Sequence, residues 1–275
     1  MSHRKSEWPA ALALLPVLAL VLGPFLWLLV SSLKSEAEIG QANPFALPKQ
    51  AMWQNYVDAW TIGGFGDLLA NSLWNLFGVV ALTLVACAPA GYVFAKLRFP
   101  GREWLFYLVI VGLTIPIQAI VIPLYQVLFN LGLINSLAGI TLAQVSNGIP
   151  FGIFLMRSFF AGVPDELVEA ARIDGASHVQ ILRKVMLPLA GPALSALVII
   201  SALSTWNDFF LPLVVLISPN VQTLPLGLVH FASTYATDFR LVFSGTVITF
   251  LPVILLYILT QRRFTEGLTQ GALKG

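Results

Sequence analysis

Long apolar runs separated by short polar segments make up most of the chain. The runs occupy residues 9–33, 68–95, 104–156, 187–217 and 241–260. A helix crosses the hydrocarbon core of a bilayer in about 20 residues, so the uncharged third run must cross twice. Its turn is predicted at residues 130–135, where two asparagines and a glycine interrupt the apolar sequence. The pattern predicts an all-α, polytopic membrane protein with six transmembrane helices.

Composition supports a membrane environment. Hydrophobic residues make up 57% of the 275 residues and charged residues only 10%, whereas soluble proteins contain about 25% charged residues. The mean hydropathy is +0.84. So few charges cannot cover a water-exposed surface, and the apolar excess has to face lipid or other membrane helices. The net charge of +2 gives no reason to expect nucleic-acid binding.

The first run, residues 9–33, is predicted to be a retained transmembrane helix that follows a cytoplasmic N-terminus at 1–8. A cleaved signal peptide is the alternative, but its apolar core would be only roughly 7–15 residues long and would end at a small-residue cleavage site. The exit of this run, Ser31-Ser32-Leu33-Lys34, lacks such a site. Residues 34–66 mix charges, prolines and tryptophans, and they predict an extracytoplasmic segment with aromatic side chains at the membrane interface.

Lysines and arginines lie mostly on one side of the predicted membrane. Six spans place both termini on the same side, and basic residues favour the cytoplasmic side. With the amino terminus inside, only three of the 15 basic residues lie outside, namely Lys34, Lys49 and Arg240. Both termini are therefore predicted to be cytoplasmic.

Prolines lie inside two of the predicted spans, at Pro116 and Pro123 in the third and at Pro150 in the fourth. A proline removes a backbone donor and kinks a helix, so we expect both spans to be broken there. Two interpretations stay open at this point. The breaks reflect irregular helix packing, or they border a solute pathway.

The polar segment at 162–188, on the inner side between the fourth and fifth spans, is the most informative part of the chain. Pro164 and the two acids that follow it are typical of the first turn of a helix. One stripe of that helix would contain Leu167, Ala170, Ala171 and Asp174. Gly175 permits a sharp end, and a second helix is predicted up to Pro188. Two short amphipathic helices joined at an angle suit docking on a cytoplasmic partner; the alternative is a loop helix on the membrane surface.

The spacing of this segment resembles the EAA loop of ABC importer permeases. Glu169-Ala170-Ala171 is followed by three residues, Gly175, nine residues and then Val185-Met186-Leu187-Pro188, where the family usually has isoleucine at the position of Val185. The resemblance implies that the loop couples the membrane subunit to a separate ATPase. It assigns this coupling to Glu169, Ala170, Ala171, Asp174, Gly175, Leu187 and Pro188. Glu169 and Asp174 would offer charge to basic groups of the ATPase, and Gly175 would set the bend.

Three further stretches narrow the resemblance to permeases of carbohydrate importers. They are Trp206–Leu213, Thr223–Leu228 and residues 264–275, the last of which is similar to the end of the maltose-type, MalG-like member of a permease pair. The resemblance implies a permease core at 67–262 and a cytoplasmic tail at 263–275 that contacts the ATPase through Glu266, Gly267 and Lys274. It also implies a bacterial-type inner (plasma) membrane, a second permease subunit, two ATP-binding subunits and an extracytoplasmic solute-binding protein.

Asp208 is the one acidic residue deep within an apolar run. An ionised carboxylate at the bilayer centre costs roughly 2.5–3.5 kcal/mol on insertion scales, so it should face the helix bundle or a wet cavity. Asn207 is a candidate partner, although adjacent helical residues point about 100° apart. Asn207, Asp208 and Gln118 are candidates for the wall or gate of a solute pathway. The alternative is a polar contact that locks helices together.

Motifs of catalysis and metal binding are absent from the sequence. It has no G-x-x-x-x-G-K-[ST] phosphate loop, and its single cysteine and three separated histidines cannot assemble a metal site. We therefore expect no catalytic residues, no metal and no cofactor in this chain, with ATP and Mg²⁺ bound by partner subunits. An ion-gradient-driven secondary transporter is the first alternative, but it would be expected to carry ionisable residues in several spans. A membrane anchor or enzyme subunit without transport activity is the second.

Overall fold

A computed structural model of the protein describes residues 8–41, 43 and 45–272. Regular structure in these residues is helical, and no strand occurs among them. The α-helices are α1 (Trp8–Ser32), α2 (Glu36–Ile39), α3 (Gln54–Ile62), α4 (Phe65–Lys96), α5 (Arg102–Val111), α6 (Ile117–Asn130), α7 (Leu137–Ala161), α8 (Asp165–Ile173), α9 (His178–Ile181), α10 (Leu187–Leu189), α11 (Gly191–Asn207), α12 (Phe210–Val215), α13 (Leu224–Thr234) and α14 (Phe239–Ala272). The predicted all-α fold class is confirmed for this part of the chain.

Three helices are each long and apolar enough to cross a membrane, namely residues Leu14–Ser32 of α1, α4 and α7. Two further candidates are bent pairs. Residues Arg102–Thr114 meet α6 at 106°, and residues His178–Leu189 meet α11 at 79°. Counting each pair as one crossing gives five candidate spans in the described residues. The predicted sixth span lies in α14, whose described apolar part, Phe239–Leu255, is shorter. Six spans therefore stay a prediction.

Proline breaks one of the two spans in which a break was expected. Pro116 is extended (φ −67°, ψ 136°) and follows an extended Ile115, so the chain leaves one helix before α6 begins. Pro123 and Pro150, in contrast, lie inside the continuous helices α6 and α7, and the expected breaks at these two prolines are wrong. A proline inside a membrane helix is tolerated where neighbouring groups compensate for its missing donor. Here Gly112 leaves room for the ring of Pro150. A side chain at position 112 would be too close, because its Cβ would lie 2.9 Å from Pro150 Cγ.

The chain divides into two units, and the first contains residues 1–66 and 227–252. In this unit the exit of α1 is fixed by Asn55 of α3, whose side-chain amide donates to the carbonyls of Ser32 and Lys34 at 2.9 Å each. Lys34 is itself buried. Trp27 packs edge-on against Phe243 of α14 with ring centroids 5.3 Å apart. The segment predicted to be extracytoplasmic thus contains short helices that pack on a membrane helix.

The second unit contains residues 67–226 and 253–275, and its core positions the features described below. Helices α4 and α7 approach closely at two glycines. A Cβ on Gly91 would lie 2.5 Å from Met156 Cβ, and one on Gly152 would lie 2.5 Å from Cys87 Sγ. Small residues let membrane helices pack backbone to backbone in this way. Cys87 is buried in this contact.

Candidate functional site

Residues 164–188, called the loop segment below, fold into two helical stretches joined by a sharp turn. Helix α8 begins after Pro164, carries two acids in its first turn and ends at Ile173. Gly175 follows with φ +79°, a left-handed conformation that glycine adopts without steric cost. Its N–H donates to the carbonyl of Arg172 at 2.9 Å, which closes the end of the helix.

The second stretch begins with a reciprocal cap. The N–H of Ser177 donates to Gln180 Oε1 at 2.7 Å, and the N–H of Gln180 donates to Ser177 Oγ at 3.4 Å. A π-helical turn and α10 then lead to Ala190, where the chain bends by 79° into α11. The predicted fifth run at 187–217 therefore contains three helices. Helices α10 and α11 meet at this bend, α11 ends at Asn207, and α12 follows.

One face of the loop segment is buried and the other is exposed. Val168, Ile181 and Met186 are buried and pack in the same apolar cluster as side chains of α4 and α7. On the other face, Leu167 is exposed and Ile173 has 87% of its surface exposed. Contiguous apolar side chains that remain exposed in a single chain are typical of a protein–protein interface.

The residues assigned to coupling lie along this segment. Glu169, Ala170 and Asp174 are exposed, whereas Ala171 is half-buried. The side chains of Glu169 and Asp174 form no ion pair or hydrogen bond within the described residues. Gly175 lies at the turn, and Leu187 and Pro188 begin α10, which precedes the bend at Ala190. Their roles in coupling stay a prediction.

Two contacts tie α4 to the loop segment. The ammonium group of Lys96 lies 2.5 Å from the carboxylate of Asp165 and donates to the carbonyl of Val163 at 2.5 Å. The Lys96 side chain is 5% exposed and that of Asp165 71%. Hydrogen bonding from Lys96 holds the pKa of Asp165 below its ordinary value. In addition, the Tyr92 hydroxyl lies 3.3 Å from Nδ1 of His178, a residue that is exposed overall.

Asp208 terminates α11 and joins a buried polar chain. Its backbone is extended (φ −71°, ψ 118°), and its Oδ1 accepts from the N–H of Leu211 in α12 at 3.2 Å. Its Oδ2 accepts from Gln144 Nε2 at 2.8 Å, while Asn75 Nδ2 donates to Gln144 Oε1 at 2.7 Å. Thr141 Oγ1 lies 2.8 Å from Asn75 Oδ1. Hydrogen bonds thus connect α4, α7 and the end of α11.

Two cavities share Asp208, Asn147 and Ser204. The smaller has a volume of about 50 Å³ and is otherwise lined by residues such as Thr83, Gln144 and Thr205. The hydroxyl of Thr83 is buried and has no hydrogen-bond partner within the described residues. The larger cavity, of about 460 Å³, opens beside Asn207. Its polar groups can donate and accept hydrogen bonds, as hydroxyl groups of a solute require.

The candidate pathway residues come together only in part. Asn207 and Asp208 line the larger cavity, but Asn207 is not the partner of Asp208, because its amide donates to the Leu203 carbonyl at 2.9 Å. The two side chains diverge because α11 ends between them and the carboxylate of Asp208 pairs with Gln144 of α7. Gln118 is exposed near the start of α6 and lines neither of these two cavities. Gln144 is the hydrogen-bond partner of Asp208. In the sequence it is recognisable only as an amide side chain within an apolar run.

The candidate tail contacts fall largely outside the part of the chain that the structure describes. Lys274 lies outside it, as does the side chain of Glu266. The backbone at Glu266 and Gly267 is helical because α14 continues to Ala272, so no break marks the predicted tail boundary at 263. The contacts assigned to the tail stay a prediction.

Comparisons with known proteins agree with this architecture. Residues 87–269 match the family described as the binding-protein-dependent transport system inner membrane component. The chain is 36% identical over 257 residues to the diacetylchitobiose uptake system permease protein NgcG of Streptomyces coelicolor, covering 93% of this chain and 85% of that protein. It is 36% identical over 256 residues to the arabinooligosaccharides transport system permease protein AraQ of Halalkalibacterium halodurans, covering 92% and 91%.

Solved structures show the same fold. A chain in the crystal structure of a bacterial ABC transporter involved in the import of the acidic polysaccharide alginate matches with a TM-score of 0.83 and 27% identity, covering 96% of this chain and 99% of that one. Two inward-facing structures of the MetNI methionine ABC transporter share the fold at 18% and 20% identity, with TM-scores of 0.53 and 0.56.

The fold and the loop segment together define a membrane-spanning subunit of a solute importer. The chain belongs to the binding-protein-dependent transport system inner membrane component family, and it is a multi-pass permease subunit of the ABC importer type. The matched residues include the loop segment and Asp208, so the resemblance found in the sequence is confirmed. Members of this family are transport components that act with other importer subunits and are not enzymes.

Proposed function

We propose that this permease forms half of the translocation pathway of an ATP-driven importer for a carbohydrate or a related small polyhydroxylated solute. Its partners are a second permease subunit, two ATP-binding subunits and an extracytoplasmic solute-binding protein. Both termini are cytoplasmic in this proposal. ATP and Mg²⁺ are bound by the ATP-binding subunits, and the permease itself carries no cofactor.

The observation that carries the proposal is the two-faced structure of the loop segment. Its buried face packs with α4 and α7, while its exposed face presents apolar and acidic side chains, among them Ile173, Glu169 and Asp174. A helix lying on the membrane surface would bury its apolar side chains in lipid and expose its acids. Here Ile173 and Glu169 lie one helical turn apart on the exposed face, an arrangement that suits a protein interface with an apolar centre and a polar rim.

The loop segment is mechanically connected to the Asp208 cavities. It leads through the bend at Ala190 into α11, which ends at Asp208. Helix α11 has 17 residues and therefore spans about 26 Å at 1.5 Å per residue. Movement of the loop segment by a closing ATPase dimer would displace α11 and the helices packed in the same apolar cluster. The cavities beside Asp208 would open and close in response, which is the alternating access that import requires.

The class of solute is supported by the polar lining of the cavities and by the relatives. Asn147, Ser204, Asn207 and Asp208 offer amide, hydroxyl and carboxylate groups within an otherwise apolar bundle. The relatives are named for diacetylchitobiose and arabinooligosaccharides, and others for osmoprotective compounds and sulfoquinovosyl glycerol. A thermal-shift panel of sugars and sugar alcohols on the cognate solute-binding protein would identify the solute.

Coupling is tested with Glu169→Lys in the complex reconstituted in liposomes. We expect normal membrane insertion and loss of solute-stimulated ATP hydrolysis and uptake, because the reversed charge opposes docking on a basic groove. Glu36→Lys is the matched control, since Glu36 is an exposed acid in the predicted extracytoplasmic segment. Wild-type coupling in Glu169→Lys, or uptake by this chain without nucleotide, would contradict the proposal.

A further inference from the structure

A basic cavity lies between the end of α4, the turn that follows it and α8. It has a volume of about 680 Å³, and its charged lining residues are Lys96, Arg98, Arg102, Arg172, Asp165 and Glu169. Four basic groups against two acids leave a local charge of +2. This excess favours an anion, and a cavity of this size can hold a phosphate group together with its substituents.

Two of the guanidinium groups are open to a ligand. Arg98 and Arg172 form no ion pair and donate no hydrogen bond within the described residues, and both are exposed. Lys96 and Arg102 are instead engaged with Asp165 and Glu103. A free guanidinium offers paired N–H donors in the fork geometry that phosphate oxygens accept.

The cavity continues into a second one that reaches an apolar surface. This second cavity, of about 330 Å³, shares Arg98 and Arg102 with the first and is also lined by Glu103 and Trp104. Counting Glu103, the two cavities together have four basic groups against three acids, a local charge of +1. Trp104 is 68% exposed, and Tyr107 and Leu108 extend the same face of α5 with similar exposure. The opposite face is fixed, because Phe106 is buried and the guanidinium of Arg157 stacks on it at 3.7 Å. Tryptophan and tyrosine are typical of the membrane–water interface.

We propose that these two cavities, the basic pocket, bind the phosphate of an anionic lipid such as phosphatidylglycerol, with the acyl chains lying along Trp104, Tyr107 and Leu108. The continuous apolar face is what selects a lipid over free phosphate, since an inorganic ion would make no use of it. Basic pockets beside membrane helices bind anionic headgroups in this manner. The proposal does not depend on the identity of the transported solute.

The test is native mass spectrometry of the purified complex titrated with dioleoylphosphatidylglycerol. We expect Arg98→Gln to weaken binding of the lipid about fivefold, which is the contribution of one basic residue near an anionic headgroup. Arg98→Lys should lose less, because it keeps the charge. Arg183→Gln is the matched control, since Arg183 is exposed on the loop segment outside both cavities, and it should bind as wild type.

Four outcomes would overturn the proposal. Equal retention of phosphatidylglycerol by wild type and Arg98→Gln would place the lipid elsewhere. Displacement of the lipid by millimolar inorganic phosphate, or equal binding of dioleoylphosphatidylcholine, would show that a lipid anion is not what the pocket selects. A photo-crosslinker at residue 98 that captures the ATPase and no lipid would assign the pocket to the protein interface. Lipid binding and uptake are measured separately, so either can fail alone.

Discussion

The ammonium of Lys96, at the end of α4, lies 2.5 Å from the carboxylate of Asp165, at the start of α8. This ion pair joins a membrane helix to the segment that is proposed to dock on the ATPase. The lysine side chain is nearly buried and the aspartate is exposed. Replacing Lys96 and replacing Asp165 should therefore change the stability of the protein by different amounts. Lys96 keeps one further acceptor, the carbonyl of Val163, when the acid is lost.

Removal of this contact should loosen α8 without preventing insertion. We expect Asp165→Asn to lower solute-stimulated ATP hydrolysis, since the buried ammonium loses its counter-charge and α8 loses its tie to α4. The double variant Lys96→Met with Asp165→Asn should recover part of that loss, because no uncompensated charge then remains. A double-mutant cycle on ATPase stimulation measures the coupling. If the effects of the two single substitutions on ATPase stimulation simply add in the double variant, the Lys96–Asp165 contact does not contribute to coupling.

The same pair predicts the direction of a pH effect. Hydrogen bonding from Lys96 lowers the pKa of Asp165 below its ordinary value of 3.8. A lowered pKa in the folded state stabilises the protein above the unfolded-state pKa, and the stabilisation is lost as the pH falls through the folded-state pKa. The difference in melting temperature between wild type and Asp165→Asn should therefore stay constant from about pH 7 to 5 and vanish at more acidic pH. A difference that disappears on raising the pH would contradict this sign.

The polar chain through Gln144 should contribute measurably to stability. Gln144→Leu removes the donor to Asp208 Oδ2 and the acceptor of Asn75 Nδ2. Asn75 is buried and Asp208 half-buried, and each keeps only the hydrogen bond to its other oxygen, Asp208 Oδ1 from Leu211 and Asn75 Oδ1 from Thr141. We expect a loss of roughly 1–3 kcal/mol in the free energy of unfolding. Asn147→Leu is the matched control, because this neighbouring amide is exposed in the cavity. Unfolding in detergent mixtures compares the two, and equal losses would argue against the hydrogen-bonded chain.

The turn at Gly175 should depend on backbone conformation alone. A Cβ at this position would meet no atom within 4 Å, but the residue has φ +79°. We expect Gly175→Ala to cost about 1–2 kcal/mol, the usual penalty for a side chain in the left-handed region. Gly191→Ala, also in open space and without a positive φ, should be close to neutral. The two variants are compared by their melting temperatures. An unchanged melting temperature in Gly175→Ala would contradict the expected backbone strain at this position.

Local sequence signals predicted the elements that depend on local chemistry. The apolar runs located α4 and α7, and the acids after Pro164 with the spaced glycine located α8 and its turn. The relations that depend on distant partners could not be predicted. Nothing in the sequence indicated that α11 would end before Asp208, or that its carboxylate would pair with Gln144 from another helix. Equally, the helix around Pro150 stays continuous because Gly112 from a different helix makes room for the ring.

The burial of the charged residue Lys34 also could not be predicted from the sequence pattern. Lys34 appears in the sequence as a polar residue that follows the first span, yet its side chain is buried beside the segment that contains Asn55. A basic residue after a span is normally solvated at the interface. Lys34 lines a cavity together with Trp27, Ile39 and Phe243, so residues of α2 and α14 lie beside it. These are tertiary contacts without a local signature.

The central proposal is that the exposed face of α8 docks on a cytoplasmic ATPase. It is tested most directly by placing benzoylphenylalanine at position 173, the most exposed apolar site of the segment, and illuminating intact cells. The account predicts a cross-linked product between this permease and an ATP-binding subunit, and none from position 217 at the outer end of the predicted fifth run. A cross-link from position 173 to the extracytoplasmic solute-binding protein, or an equal yield from both positions, would contradict it.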